Sequence, residues 1–163
     1  MKIGIIIIFN NNEAQFEKCF FIEQINAFKT IELCLVDNNS KDKTLQLLKD
    51  VKEACSSQVS IVEIKKHSSE DAAKRAGARY LFSQFNLRHI GFINVNASHI
   101  KGEHLNTLIE DVCKNQEFII NFNIETIKGQ EVKQTLFKNI FSVVDYLKSI
   151  KTHTNFNNLN PSV

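Results

Sequence analysis

The chain has 163 residues, of which 43% are hydrophobic and 23% are charged, and its formal net charge is +2. This length and composition are typical of one globular domain and exclude an intrinsically disordered chain. Because the net charge is small and the basic residues are dispersed, we expect no nucleic acid as a partner. The four cysteines form no CxxC pair, which gives no indication of a zinc site or a disulfide framework and favours a reducing, cytoplasmic location.

Apolar runs alternate with helical patterns along the chain. Strands are predicted at residues 3–9, 31–36, 59–64, 89–93 and 118–124. Helices are predicted at residues 13–28, 42–55, 69–85, 102–115 and 131–150. The first apolar run is continuous rather than alternating, which is typical of a strand that is covered on both faces. Small residues such as Ala73 and Gly77 predict that the third helix lies close against the sheet.

Strands that alternate with helices through short connections predict an α/β fold. We expect a doubly wound, Rossmann-like architecture with a mostly parallel sheet of about five strands flanked by helices. A single domain is expected over residues 1–152, with an amphipathic C-terminal helix at 131–150 and a frayed tail at 153–163.

Three polar turns that follow predicted strands form the candidate site. The turns at 10–12, 37–42 and 94–99 should meet at the carboxyl edge of the sheet, where α/β folds bind ligands. Asparagine and aspartate suit the edge of a base and the hydroxyls of a ribose, because an amide both donates and accepts hydrogen bonds. They are also common turn residues, so each could simply stabilise its own turn. No GxGxxG and no GxxxxGK[ST] follows a strand, which argues against a dinucleotide site and a P-loop.

Four segments resemble motifs of the family 2 glycosyltransferases, which have the GT-A fold. The opening IGIIIIFNNNEAQFEKCF is similar to the family's first strand and its following turn, and ELCLVDNNSKDKTLQLL resembles the motif V-D-D/N-x-S-x-D-G-T. HSSEDAAKRAGARYL resembles the helix motif N-x-G-x-x-x-A-R-N-x-G, and HIGFINVNASHI resembles the strand that carries the DxD motif. Their order and spacing resemble the nucleotide-sugar-binding part of the family over about residues 1–125.

The resemblance implies an enzyme that transfers a sugar from a nucleotide-diphosphate donor to a glycan or lipid-linked acceptor. The donor would be a UDP-, dTDP- or GDP-linked sugar. In the corresponding positions, Asn10 and Asn11 would flank the base and ribose pocket, Asp37 and Asn38 would lie at the base, and Lys74 would lie near the diphosphate.

This chain lacks the carboxylates of the family's DxD motif. The motif's two carboxylates, which hold the ribose and a divalent metal, correspond to Asn94 and Asn96. Because hard cations prefer charged oxygen ligands, we expect Mn²⁺ or Mg²⁺ to bind weakly here, with Asn96 and His99 as the candidate ligands. Alternatively, basic side chains could neutralise the diphosphate directly. These are Lys65, Lys66, Lys74 and Arg75.

A second hypothesis, from another class of protein, stays open. The acceptor half of the family supplies an Asp or Glu general base, and no residue of this chain matches a motif that would assign one. The chain could therefore be a catalytically silent GT-A-like domain that binds a nucleotide or serves as an interaction module. The helix at 131–150 could cover the sheet, mediate a homodimer or contact the inner face of a membrane.

Overall fold

The computed structural model describes residues 3–27, 30–87, 89–97, 105–129 and 140–159, with side chains as far as Thr152. The strands are β1 (Ile3–Phe9), β2 (Ile31–Asn38), β3 (Val59–Ile64), β4 (His89–Asn94) and β5 (Phe141–Ser142). The α-helices are α1 (Lys18–Ala27), α2 (Thr44–Ala54), α3 (Glu70–Gln84), α4 (Leu105–Lys114), α5 (Gln116–Lys128) and α6 (Val143–Leu159). A short 3-10 helix, Glu13–Gln15, precedes α1.

The described strands form one parallel sheet in the order β3-β2-β1-β4-β5. The central strand β1 pairs with β2 along its whole length, from Ile3 beside Ile31 to Phe9 beside Asp37. All 7 residues of β1 are buried, because strands cover both of its edges and helices cover both faces. This continuous burial accounts for the unbroken apolar run in the sequence. The predicted α/β class with a parallel sheet is confirmed.

The two faces of the sheet carry hydrophobic cores of different size. Along β1, Ile5 and Ile7 belong to the larger core, which residues of α1, α2, α4, α5 and α6 complete. Ile6 and Ile8 belong to the smaller core on the opposite face. That core is completed by α3, through Ala73, Ala78 and Leu81.

Helix α3 lies directly against the sheet, as its small residues predict. A Cβ atom added at Gly77 would lie 2.8 Å from Ile6 Cγ2 and 3.1 Å from Val36 Cγ2. The helix begins with a capping hydrogen bond, in which Ala72 N donates to Ser69 Oγ at 3.2 Å. The close approach fixes the start of α3 beside the ends of β2 and β4.

The prediction of a strand at 118–124 is wrong, because this segment lies within α5. Ile119 and Asn123 are buried four residues apart on one side of the helix. Phe118 and Phe122 stack on another side, with ring centroids 6.2 Å apart. Both pairs have the i, i+4 spacing of a helix. The apolar residues of FIINFNI also alternate in part, which favoured the wrong prediction of a strand. The fifth strand of the sheet is instead Phe141–Ser142, which pairs with β4 at Gly91 and Phe92.

The predicted helix at 131–150 is confirmed for residues 143–150. Residues 130–139 lie outside the described part of the chain, 141–142 form β5, and α6 begins at Val143. Val143 and Leu147 are buried as the predicted apolar stripe requires. The helix continues to Leu159 and so includes residues 153–159 of the predicted tail, whose fraying stays a prediction. The homodimer and the membrane contact suggested for this helix stay predictions.

The remaining predicted elements are confirmed to within a few residues in the described part of the chain. One difference is that the helix predicted at 13–28 is divided into the 3-10 helix and α1. No helix among the described residues has both the length and the apolar character that crossing a membrane requires.

Replacing Gly77 with alanine tests the close contact between α3 and the sheet. Overpacking a buried site costs about 1–3 kcal/mol, which exceeds the gain of up to about 1 kcal/mol that alanine brings to a helix. We therefore expect Gly77→Ala to lower the free energy of unfolding by about 1 kcal/mol, measured by urea denaturation. Gly129→Ala is the control, because the heavy atom nearest to its added Cβ is 3.7 Å away. A Gly77→Ala chain as stable as the wild type would contradict the packing described here.

Candidate functional site

The ends of β1, β2 and β4 meet at the carboxyl edge of the sheet, as predicted. Asn10 Nδ2 donates a hydrogen bond to Asn38 O at 2.7 Å, which joins the ends of β1 and β2. Asn12 Nδ2 donates to Asn96 Oδ1 at 2.8 Å, which joins the ends of β1 and β4. We call the residues 10–12, 37–43 and 94–97 the carboxyl edge.

Two asparagines at this edge have left-handed backbone conformations. The φ angles are 55° at Asn11 and 63° at Asn39, a region that asparagine tolerates better than most residues. Asn11 N donates to Ser40 Oγ at 3.0 Å, and Lys41 N donates to Asn11 Oδ1 at 2.7 Å. Asn11 therefore links the turns that follow β1 and β2. The predicted placement of Asn11 at the edge is correct, and its amide oxygen is already hydrogen-bonded within the protein.

Asp37 carries an oxygen atom that has no hydrogen-bond partner among the described residues. Its side chain is at the end of β2 and is 2% exposed. Ser40 N donates to Asp37 Oδ2 at 3.2 Å, whereas Oδ1 is buried and unpaired. A buried polar atom without a partner destabilises the folded state, and the cost is larger for a charged group. Such an atom calls for a further partner, and a bound water, an ion or a ligand could supply it.

Asn38 is bound on both sides of its amide. Its Nδ2 donates to Ser68 O at 2.8 Å, while Ser68 N and Ser68 Oγ donate to its Oδ1 at 3.0 and 3.1 Å. The side chain is 4% exposed. Asn38 thus holds the connection between β3 and α3 against the end of β2, and it would have to release Ser68 before it could contact a base.

Lys74 is neutralised by two carboxylates of its own helix. Its Nζ lies 2.7 Å from Asp71 Oδ1 and 3.7 Å from Glu70 Oε1. It also lies 4.3 Å from the centroid of the Phe92 ring. The hydrogen bond and the charge of Lys74 hold the pKa of Asp71 below its ordinary value. The positive charge of Lys74, which the family resemblance predicts to lie near a diphosphate, is therefore already compensated within α3.

Lys41 is a cation at the carboxyl edge that the sequence analysis missed. Its Nζ donates to Asn39 Oδ1 at 2.9 Å, and no carboxylate among the described residues pairs with it. The neighbouring Lys43 has its Nζ 3.9 Å from Glu13 Oε1. The only sequence signal for Lys41 is its position one residue after the D-N-N-S turn, which does not distinguish it from the other lysines of the chain.

Asp42 stabilises the turn between β2 and α2. Its Oδ1 accepts a hydrogen bond from Thr44 N at 2.9 Å, and its Oδ2 accepts one from Glu13 N at 3.0 Å. Burial raises the pKa of Asp42, but the hydrogen bonds from Thr44 and Glu13 outweigh it and leave the pKa below its ordinary value. Asp42 is thus a carboxylate with both oxygens paired, in contrast to Asp37.

The two asparagines at the expected metal position are hydrogen-bonded within the protein. Asn94 Oδ1 accepts a hydrogen bond from Asn96 N at 3.1 Å, and Asn96 Oδ1 accepts the bond from Asn12 already described. Among the described residues, no three His, Cys, Asp or Glu side chains lie close enough together to bind a metal ion. The remaining candidate ligand, His99, lies outside the described part of the chain.

A comparison with known protein families decides what kind of protein this is. Residues 4–162 match the family described as "Glycosyl transferase family 2". The chain belongs to this family. The resemblance on which the predicted site residues depend is therefore confirmed, whereas the individual roles of Asn10, Asn11, Asp37, Asn38, Lys74, Asn94 and Asn96 stay predictions.

Solved structures of larger proteins are similar to this family 2 glycosyltransferase chain. One is the mannosyltransferase PcManGT from Pyrobaculum calidifontis in complex with GDP-Man and Mn²⁺. It is 18% identical to this chain, and the match covers 48% of this chain and 24% of that chain with a TM-score of 0.42. Another is S. aureus TarS 1-349, with 16% identity, 58% and 27% covered, and a TM-score of 0.46. The chain thus spans about a quarter of the length of these structures. No curated protein matches the chain.

The two carboxylates Asp37 and Asp42 allow a matched test of the unpaired oxygen. Asp37→Asn keeps an acceptor for Ser40 N and removes a buried charge, so we expect the melting temperature at pH 7 to be unchanged or raised. Asp42→Asn removes one of two paired acceptor oxygens and should lower it by about 2–4 °C, the equivalent of about 1 kcal/mol. If thermal unfolding shows that both variants lose the same stability, the Asp37 carboxylate only stabilises its turn.

Proposed function

We propose that the chain is the nucleotide-sugar-binding part of a glycosyltransferase, and that Asp37 binds the base of the donor. The transferred sugar would pass from a nucleoside diphosphate to a glycan or lipid-linked acceptor. The observation that carries this proposal is the buried Asp37 Oδ1 at the carboxyl edge, which has no hydrogen-bond partner in the described part of the chain. Membership of glycosyl transferase family 2 supports it, and so does the position of Asp37 where α/β sheets bind ligands.

The chemistry of the unpaired oxygen favours particular bases. A carboxylate only accepts hydrogen bonds, so Asp37 Oδ1 suits a base with a ring N–H at its pairing edge. Uracil, thymine and guanine, the bases that the family resemblance implies, have such a ring N–H. Adenine and cytosine offer only an exocyclic amino group at that edge, which can also donate to a carboxylate. A UDP-, dTDP- or GDP-linked sugar is therefore the proposed donor. Because Oδ1 is buried, groups that cover it must move aside when the base binds.

Lys41 is the proposed partner of the diphosphate. A diphosphate brings negative charge to the site, and a fixed cation stabilises it most when no carboxylate already neutralises that cation. Lys74 is paired with Asp71 and Glu70, whereas Lys41 Nζ bonds only the neutral Asn39 amide among the described residues. The backbone of Lys41 is also hydrogen-bonded to Asn11, which places it between the turns after β1 and β2.

A catalytically silent nucleotide-binding or interaction domain is the second candidate. It is favoured by the amides of Asn38 and Asn96, which are hydrogen-bonded within the protein where the family uses polar groups to bind the donor. Transfer or hydrolysis of a radiolabelled nucleotide sugar by the purified chain would distinguish an enzyme from a silent domain that only binds the nucleotide.

The affinity of Asp37→Asn for a nucleotide tests the central residue. We expect calorimetric titration with UDP, dTDP and GDP to show that the wild type binds at least one of them and that the variant binds it at least about tenfold more weakly, equivalent to about 1.4 kcal/mol. Asp42→Asn is the matched control and should keep its affinity once measured below its melting temperature. Equal affinities of wild type and Asp37→Asn would contradict the role of Asp37.

The pair Lys41→Met and Lys43→Met tests the phosphate contact. Both variants remove one positive charge from the same loop, but only Lys41 is proposed to face the diphosphate. We expect Lys41→Met to weaken binding of the diphosphate by about threefold to tenfold, since a charge-assisted contact is lost, and to leave the binding of the corresponding nucleoside unchanged. Equal losses in Lys41→Met and Lys43→Met would show only a general effect of charge.

A further inference from the structure

The two asparagines at the position of the DxD carboxylates each donate an N–H to an acceptor of the protein. Asn94 Nδ2 donates to Glu70 Oε2 at 2.7 Å. Asn96 Nδ2 donates to Asn10 O at 3.0 Å and to Asn12 Oδ1 at 3.2 Å. An ionised carboxylate has no N–H and can only accept. An aspartate of the same shape at either position would place an oxygen against these acceptors.

The oxygen atoms of the same two side chains also have partners. Asn94 Oδ1 accepts from Asn96 N, and Asn96 Oδ1 accepts from Asn12 Nδ2, at 3.1 and 2.8 Å respectively. Asn12 is 1% exposed, and its backbone N donates to Thr44 Oγ1 at 2.8 Å, which extends the contact to the start of α2. The amides of Asn94 and Asn96 therefore use both their donors and their acceptors within the protein.

These contacts connect the end of β4 to two other parts of the fold. Asn96 joins the end of β4 to the turn after β1, and Asn94 joins the end of β4 to the first turn of α3. A divalent cation prefers charged oxygen ligands that are free to turn towards it. Here the oxygens are neutral and are already held by N–H groups.

We propose that Asn94 and Asn96 are structural amide ties and that the nucleotide site of this chain works without a divalent cation. The first half of this proposal stands on the hydrogen bonds alone. The second half deepens the proposed function and rests on it, because it concerns how the nucleotide is bound. The proposal also predicts that replacing Asn94 and Asn96 with aspartates destabilises the chain and creates no metal site.

Exchanging the donor and the acceptor of the hydrogen bond between Asn94 and Glu70 tests its contribution to stability without any ligand. Asn94→Asp places a carboxylate 2.7 Å from that of Glu70, and we expect the melting temperature to fall by about 2–4 °C. Adding Glu70→Gln restores a donor opposite the new carboxylate, so the double variant should recover at least half of that loss. The control is Asn86→Asp, on an exposed loop before β4 at the opposite edge of the sheet, and it should leave the melting temperature unchanged.

The recovery in the double variant decides the first half of the proposal. A chain that carries Asn94→Asp and is as stable as the wild type would overturn it, because the amide would then have no structural role. A loss of stability that Glu70→Gln does not reverse would also overturn it, because the damage would not come from the lost donor. Neither result depends on nucleotide binding, so the proposed function is judged separately.

Titration with nucleotides in the presence and absence of Mn²⁺ decides the second half. We expect the Kd of the wild type for UDP, dTDP or GDP in EDTA to stay within about twofold of the Kd in Mn²⁺, which is within about 0.4 kcal/mol. Binding that Mn²⁺ tightens more than tenfold would overturn the proposal. If none of the three nucleotides binds under either condition, the proposed function and this second half both fail, while the Asn94 and Glu70 exchange still decides the first half.

Discussion

The structure depends on the burial of β1 at the centre of a parallel sheet. Its residues are covered by strands on both edges and by helices on both faces, so β1 fixes where its neighbours begin and end. Because β2 and β4 run parallel to β1 in register, the turns that follow all three strands must meet at one edge. Polar groups brought together in this way are partly shielded from water and need partners. The pairing of these groups determines what the edge can bind.

Asparagine satisfies the polar groups at this edge better than aspartate, because its amide both donates and accepts hydrogen bonds. One amide can donate to a strand end and accept from the next turn, as Asn12 and Asn96 do with each other. Asn38 does the same with Ser68 across the gap between β2 and α3. Against this background Asp37 is the exception, since it is buried, acidic and only half paired. A residue that breaks the local rule at a ligand-binding edge is expected to have a functional reason.

The fold and the general position of the site could be predicted from the sequence, because both depend on local patterns. Continuous apolar runs mark β1 and β2, and the parallel topology then places their turns together. The strand predicted at 118–124 failed because a short, partly alternating apolar segment fits a strand and a helix equally well. The real edge strand, Phe141–Ser142, has only 2 residues and is too short to give a periodic signal.

The pairing of individual side chains could not be predicted, because it depends on neighbours that are distant along the chain. Asn38 is saturated by Ser68, which is 30 residues away, and Asn96 by Asn12, which is 84 residues away. Lys74 takes the place of an arginine in a family motif, but it is neutralised by Asp71, three positions before it on α3. Lys41 matched no motif, and its proposed role is inferred from the lack of a carboxylate partner among the described residues.

The measurement that tests the central claim most directly is the base preference of the unmodified chain. Calorimetric titration in EDTA with UDP, dTDP, GDP, ADP and CDP compares bases that have a ring N–H for Asp37 Oδ1 with bases that lack one. Micromolar binding of UDP, dTDP or GDP, with ADP and CDP at least about tenfold weaker, would support a base site at Asp37. Equal binding of all five nucleotides, or binding of none, would contradict it.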